Sequence, residues 1–87
     1  MNIIVKKPNE VEKNEMESKD TWECGVSEFD WHFESEEICL FIEGEAVISY
    51  DGGSVSISAG DYVVFPKGLS CVWKVSKPVK KYYVHIK

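Results

Sequence analysis

The run 36–43, Glu-Glu-Ile-Cys-Leu-Phe-Ile-Glu, sets the strongest limit on what this chain can fold into. Side chains along a strand alternate, so Glu37, Cys39 and Phe41 share one face while Ile38, Leu40 and Ile42 share the other. A strand apolar on both faces must be covered on both sides, which a solvated hairpin cannot provide.

The sequence around this run repeats the β theme. From Thr21 onward, short runs rich in β-branched and aromatic residues are broken by turn residues at the spacing of a sandwich or barrel. Strands are expected over 21–26, 28–34, 36–43, 45–50, 54–58, 62–65, 70–75 and 79–86. Asp51-Gly52-Gly53 is a hairpin signal, because Asp and Gly tolerate positive φ. Ala59-Gly60-Asp61 and Pro66-Lys67-Gly68 supply two more turns. Alternation places Phe29, Trp31 and Phe33 on one face, Cys71, Trp73 and Val75 on one face, and Tyr82, Val84 and Ile86 opposite Tyr83 and His85. The polar stretch 9–19 opens with Asn9 and acids, an N-cap followed by a favourable first turn, and predicts a short surface helix.

At 87 residues the chain has room for one core, so a single domain is expected, with an N-terminal strand and helical segment over 1–20 and a barrel over 21–87. The aromatic content of 13% is that of a folded protein. A net charge of −5 argues against a nucleic-acid partner, since phosphate binding needs a concentrated positive surface. All 10 basic residues are lysines, so no guanidinium fork is available to clamp a carboxylate or phosphate. The sequence holds no apolar run near the ~20 residues of a membrane span and no signal-peptide layout, so no membrane partner and a cytoplasmic location are expected. Three cysteines, Cys24, Cys39 and Cys71, without C-x-x-C spacing, are expected to be reduced thiols.

Two motifs then align. Glu37 to Gly44 reads E-x-x-x-x-x-x-G, and Gly60 to Cys71 reads G-x-x-x-x-x-P-x-G-x-x-C. Both resemble the paired motifs of the cupin superfamily, whose second motif ends in His. The Trp-x-Phe pair before Glu37, Cys71 and the segment Trp73 to Tyr82 resemble the small single-domain cupins grouped with the (S)-ureidoglycine aminohydrolase cupin domain. The resemblance covers about Trp22 to Tyr83 and implies an all-β, double-stranded β-helix or jelly-roll barrel with a short N-terminal helix.

In metal-binding cupins the ligand positions correspond to Trp31, Phe33, Glu37 and Cys71 of this chain. Two are hydrocarbons, and the remaining donors fall short of the three or four that a stable site needs. No cofactor is therefore expected, with an atypical divalent site built from Glu37, Cys71 and a tyrosine or His32 as the alternative. Alternation turns His32 away from the face of Trp31 and Phe33 unless a bulge intervenes.

The expected site is an aromatic pocket of Trp31, Phe33 and Trp73, with Cys39 and Tyr62 as further ligand-binding candidates and Glu37 and Cys71 as catalytic candidates. Glu37 suits a general acid or base, or equally a structural carboxyl. Cys71 reads either as a thiol at the pocket or as a small buried hydrophobe, a poor thiolate without a nearby positive charge. The aromatics line a site or simply fill a small barrel. Tyr50, Tyr82 and Tyr83 are also within possible reach, and His85 and Lys67 read as surface residues. The functions that follow are a metal-free cupin binding, and acting on, a small nitrogenous or carboxylate metabolite, or a non-catalytic barrel with a structural or regulatory role. Exposed strand edges predict a homodimer.

Overall fold

The computed structural model describes residues 2–86. It contains β1 (Ile4–Lys6), α1 (Glu10–Met16), β2 (Asp20–Cys24), β3 (Ser27–His32), β4 (Glu36–Tyr50), β5 (Gly53–Ser58), β6 (Tyr62–Phe65) and β7 (Ser70–Ile86). The expected runs 36–43 and 45–50 are one continuous strand, as are 70–75 and 79–86. Each pair merges because the two long strands bend together instead of breaking. Their ladder carries register shifts between Phe41 and Ala46. At the corner Gly44 has φ +97°, and a Cβ built there would overlap the Pro78 carbonyl. Only glycine lets the two backbones approach this closely.

The bend divides the pairing. Before it, β4 lies between β6 and the C-terminal half of β7, with β1 beyond β6 and β2 beyond β7. After it, β4 lies between β5 and the N-terminal half of β7, with β3 outside β7. The result is a mostly β jelly roll with one short helix, its sheet left open. The edges belong to β1, β2, β3 and β5, each paired on one side among the described residues.

Two turns lock the interior. Asp61 accepts the Ser58 N–H at 2.9 Å and the Lys7 ammonium at 2.9 Å. Burial alone would raise this carboxyl, but those bonds hold it below the ordinary carboxylate range. The 66–69 turn is tied to Phe33, which donates to the Leu69 carbonyl and accepts from the Gly68 N–H. Phe33 is thereby driven into the core, stacked on Phe65 with ring centroids 4.6 Å apart.

The two faces of β4 are indeed both covered. Inside, Cys39, Phe41, Ala46 and Ile48 pack with Val63, Phe65, Trp73 and Val75. Outside, Leu40 packs with Met16 of α1 and Tyr62, joined by Ile38, Val64, Tyr82 and Val84. The helix starts as its sequence dictates. Asn9 accepts from the Glu12 N–H at 2.8 Å and Glu12 returns a bond from the Asn9 N–H at 3.0 Å, a complete capping box.

Candidate functional site

Residues directly opposite on paired strands share a face, so register alone assembles the site. β4 and β7 align Glu37 with His85, Cys39 with Tyr83, Phe41 with Lys81, Ile48 with Trp73 and Tyr50 with Cys71. Beyond β7, β2 sets Trp22 beside Lys81, while β3 sets Phe29 beside Trp73 and Trp31 beside Cys71. Cross-strand rows of aromatic and ionisable side chains are stacked along the inner face.

At the centre lies a buried ion pair. Lys81 Nζ is 2.7 Å from Glu37 Oε2, and the two residues are 5% and 4% exposed. The same Oε2 accepts the Cys39 thiol at 3.0 Å, and Nζ also reaches Cys39 Sγ at 3.3 Å. Four rings surround the ammonium, with centroids at 4.9 Å for Trp73, 5.0 Å for Trp22 and 5.8 Å for Phe41 and Phe65. Burial disfavours the Lys81 charge, but attraction to the Glu37 carboxylate and its hydrogen bonds to Glu37 and Cys39 outweigh it, so the Lys81 pKa is raised. Burial likewise pushes the Cys39 thiol far up, so it stays a donor to Glu37 rather than a thiolate.

Above the pair opens a cleft of about 210 Å³. Trp22, Phe29, Trp31, Trp73 and Tyr83 form its walls, with Glu37, Lys81 and His85 among the lining residues. Trp31 is 48% exposed and stands at the rim. His85 Nε2 is 3.5 Å from Glu37 Oε1, and its Nδ1 lies 3.1 Å from Ser35 Oγ.

The structure brings together Trp31, Trp73 and Glu37 of the expected set. Phe33, 2% exposed, belongs to the core, and Cys39 lies under the ion pair. Tyr62 is on the far side of the sheet with Met16 and Leu40, because β6 turns it outward. Cys71 lines a separate, shallower opening with Trp31, His32, Ser70 and Tyr50. Its thiol points to the Trp31 carbonyl at 3.6 Å, and burial raises its pKa against the opposing influence of Trp73 and Lys81. The buried Trp73 Nε1 makes no hydrogen bond of good geometry. His32 faces outward, as alternation requires, with Nδ1 2.8 Å from Ser70 Oγ.

Four cleft residues escaped sequence reasoning: Lys81, Trp22, His85 and Phe29, the last placed by alternation on the face of Trp31 but not assigned to the site. Lys81 shares parity with Tyr83 and His85, a signal that was present; pairing this face with Glu37 needed the β4–β7 register. Trp22 enters through its pairing with Lys81. His85, expected at the surface, is half exposed yet borders the Glu37 carboxylate, because the register sets the two opposite each other.

A metal of the cupin type does not fit these residues. The Lys81 ammonium already holds Glu37 Oε2, Cys71 faces the other opening, and Trp31 and Phe33 offer no side-chain lone pair to a metal. Among the described residues no group of three or more His, Cys, Asp or Glu is placed to hold an ion. Among them, too, no helix is long and apolar enough to cross a membrane.

Comparison with known proteins places this geometry. The family model for the EutQ-like cupin domain matches residues 11–83. A DUF861 family protein from Thermotoga maritima superposes with a TM-score of 0.92 at 39% identity, over 98% of this chain and 100% of that one. The EutQ protein of Clostridium difficile gives a TM-score of 0.69 at 32% identity, over 75% of this chain and 52% of that one. The chain thus spans about half the length of that EutQ protein. A cupin superfamily protein from Desulfitobacterium hafniense shares the fold at 12% identity, with a TM-score of 0.65 over 98% of this chain and 77% of that one. No curated protein matches. By sequence and fold together, the chain belongs to the EutQ-like cupin family.

Proposed function

We propose that this protein is a cupin that binds a small metabolite, nitrogenous or carboxylate, in the aromatic cleft and does so without the usual cupin metal. The observation that carries this reading is the cleft itself: aromatic walls over a floor where Glu37 and His85 offer polar atoms, the composition of a small-molecule site. At about 210 Å³ it suits a ligand smaller than a drug-sized molecule. Glu37 Oε1 and His85 Nε2 are the groups positioned to accept or return a proton, so any chemistry would be acid–base chemistry on the bound ligand. Kinship with the ureidoglycine aminohydrolase type belongs to this reading, which also takes the protein as cytoplasmic with reduced thiols.

Native mass spectrometry of the gently purified protein tests it, together with a metabolite library screened on the indole N–H signals of Trp22 and Trp31. We expect a retained or library compound that shifts both signals saturably and is lost in Trp31→Ala. A screen in which no compound moves either indole would sink the reading.

A second reading rests on the open edges of β1, β2, β3 and β5 and on the exposed Ile4, Val26 and Val47. Covering such edges favours a homodimer, with a structural or regulatory role. Light scattering at micromolar concentration checks the dimer, and a monomer throughout contradicts it.

A further inference from the structure

We infer that the cleft selects a small organic ammonium ion, bound by its N–H groups to Glu37 Oε1 and packed between Trp22, Trp31 and Tyr83. This rests on the small-molecule reading above and chooses between its two ligand classes.

The argument is an accounting of lone pairs and charges. Glu37 Oε2 is saturated, taking the Lys81 ammonium at 2.7 Å and the Cys39 thiol at 3.0 Å. Among the described residues Oε1 has only His85 Nε2 at 3.5 Å, longer than the ~2.7–3.2 Å of an N–H···O bond. A carboxylate oxygen that borders a cleft with its lone pairs unspent calls for a donor. A ligand that covers Oε1 displaces water from it, so one that supplies N–H groups replaces the lost hydrogen bonds while one that brings only acceptors leaves the oxygen unmatched, which is costly.

Anion recognition has no comparable support. Among the described residues Lys81 is the one lysine that lines the cleft, and its ammonium is committed to Glu37 and Cys39 and enclosed by rings. The chain has no arginine to add. A carboxylate in the cleft would also lie beside Glu37 Oε1, charge against charge.

The walls point the same way. Ring faces attract cations, and this molecule already holds one ammonium among four rings a few ångströms below. Trp22, Phe29, Trp31 and Tyr83 carry aromatic rings along the cleft above it. His85 adds a tautomer choice. When Ser35 Oγ–H donates to Nδ1, Nε2 carries its proton toward Glu37; when Nδ1–H donates to Ser35, Nε2 is a second acceptor beside Oε1. The ammonium selects the second arrangement and bridges both atoms.

Three probes of matched size separate the possibilities: n-propylammonium, n-propanol and propionate. Each is titrated into the folded wild-type protein while the Trp22 and Trp31 indole N–H signals are followed. Propylammonium should shift both saturably with a Kd at least ~10-fold below that of propanol. Propionate should leave both signals in place. Tetramethylammonium, a cation without N–H groups, should bind more weakly than propylammonium, which reads the Oε1 hydrogen bond without any substitution. Glu37→Gln, once shown to be folded by its amide spectrum, should lose the preference for propylammonium over propanol. Propionate binding as tightly as propylammonium, equal affinity for propanol, or tighter tetramethylammonium would each overturn the ammonium assignment and leave the cleft a ligand site. Failure of all four probes to shift either indole overturns the ligand site as well.

Discussion

The inner and outer faces of β4 over residues 37–41 are both covered, the inner one completely and the outer one with Ile38 only partly buried, and yet they are chemically opposite. On the outer face, Ile38 and Leu40 meet Met16, Tyr62, Tyr82 and Val84 and bury no charge. On the inner face, Glu37 and Cys39 meet Lys81 across the ladder, and the next ring outward is aromatic. The outer face is held mainly by buried apolar area, with Lys6 Nζ 5.2 Å from the Tyr62 ring centroid. The inner face is held by a matched pair, in which each member makes the other's burial affordable, and it leaves Oε1 facing a cleft. Seal and site are two sides of one strand, and the difference is whether the neighbouring strand turns a charge to that face: Lys81, opposite Phe41, reaches back along it to Glu37.

The sharpest way to break the comparison is to remove one charge. Glu37→Leu strands the Lys81 ammonium among rings and should cost about 4 kcal/mol in urea unfolding. Adding Lys81→Met should recover most of that loss, because a buried pair replaced by apolar groups of similar volume is often neutral. If the double substitution is no more stable than Glu37→Leu alone, the pair is not the coupled unit described.

On the sealing face, Met16→Ala should cost about 3 kcal/mol through cavity formation, with the cleft indole signals unchanged. A shift of Trp22 or Trp31 in that variant would show that the faces are not independent.

Alkaline pH tests the ion pair of the inner face by titration. Groups whose folded pKa lies above the unfolded value contribute stability that is complete below the unfolded pKa and fades as pH rises through the folded one. Cys39, raised by burial, begins to withdraw stability near pH ~9. Lys81, raised by Cys39 and Glu37 against its burial, follows above pH ~10.4. Cys24, Cys71 and Tyr62, all raised by burial, act in the same direction. Cys39→Ala should therefore delay the alkaline decline seen in pH-dependent unfolding, whereas an unchanged onset would remove Cys39 from the account.

Asn9→Ala, which removes the helix cap beneath the seal, should cost about 1 kcal/mol. The smallest effect on stability is expected from Trp31→Ala at the rim, under about 1 kcal/mol, although it should abolish ligand shifts at the cleft. Stability loss comparable to Met16→Ala would make Trp31 a core residue instead.

Local chemistry carried much of this molecule on its surface. The double-sided apolar run demanded cover on two sides, Asn9 started a helix, and the cupin-like spacing from Glu37 to Gly44 and Gly60 to Cys71 identified the jelly roll. Parity along single strands also set Cys39 beside Glu37 and Trp73 beside Cys71, because period-two alternation is a property of one chain segment. What parity cannot contain is which strand lies opposite and at what offset. That Glu37 meets Lys81 and His85, that Trp22 closes over the ammonium, and that Cys71 opens on the other side of Trp31 were decided by the β4–β7 register and by the bend at Gly44. A one-residue slip would have reversed every one of those contacts, since the ladder, and not the segment, determines which side chains meet.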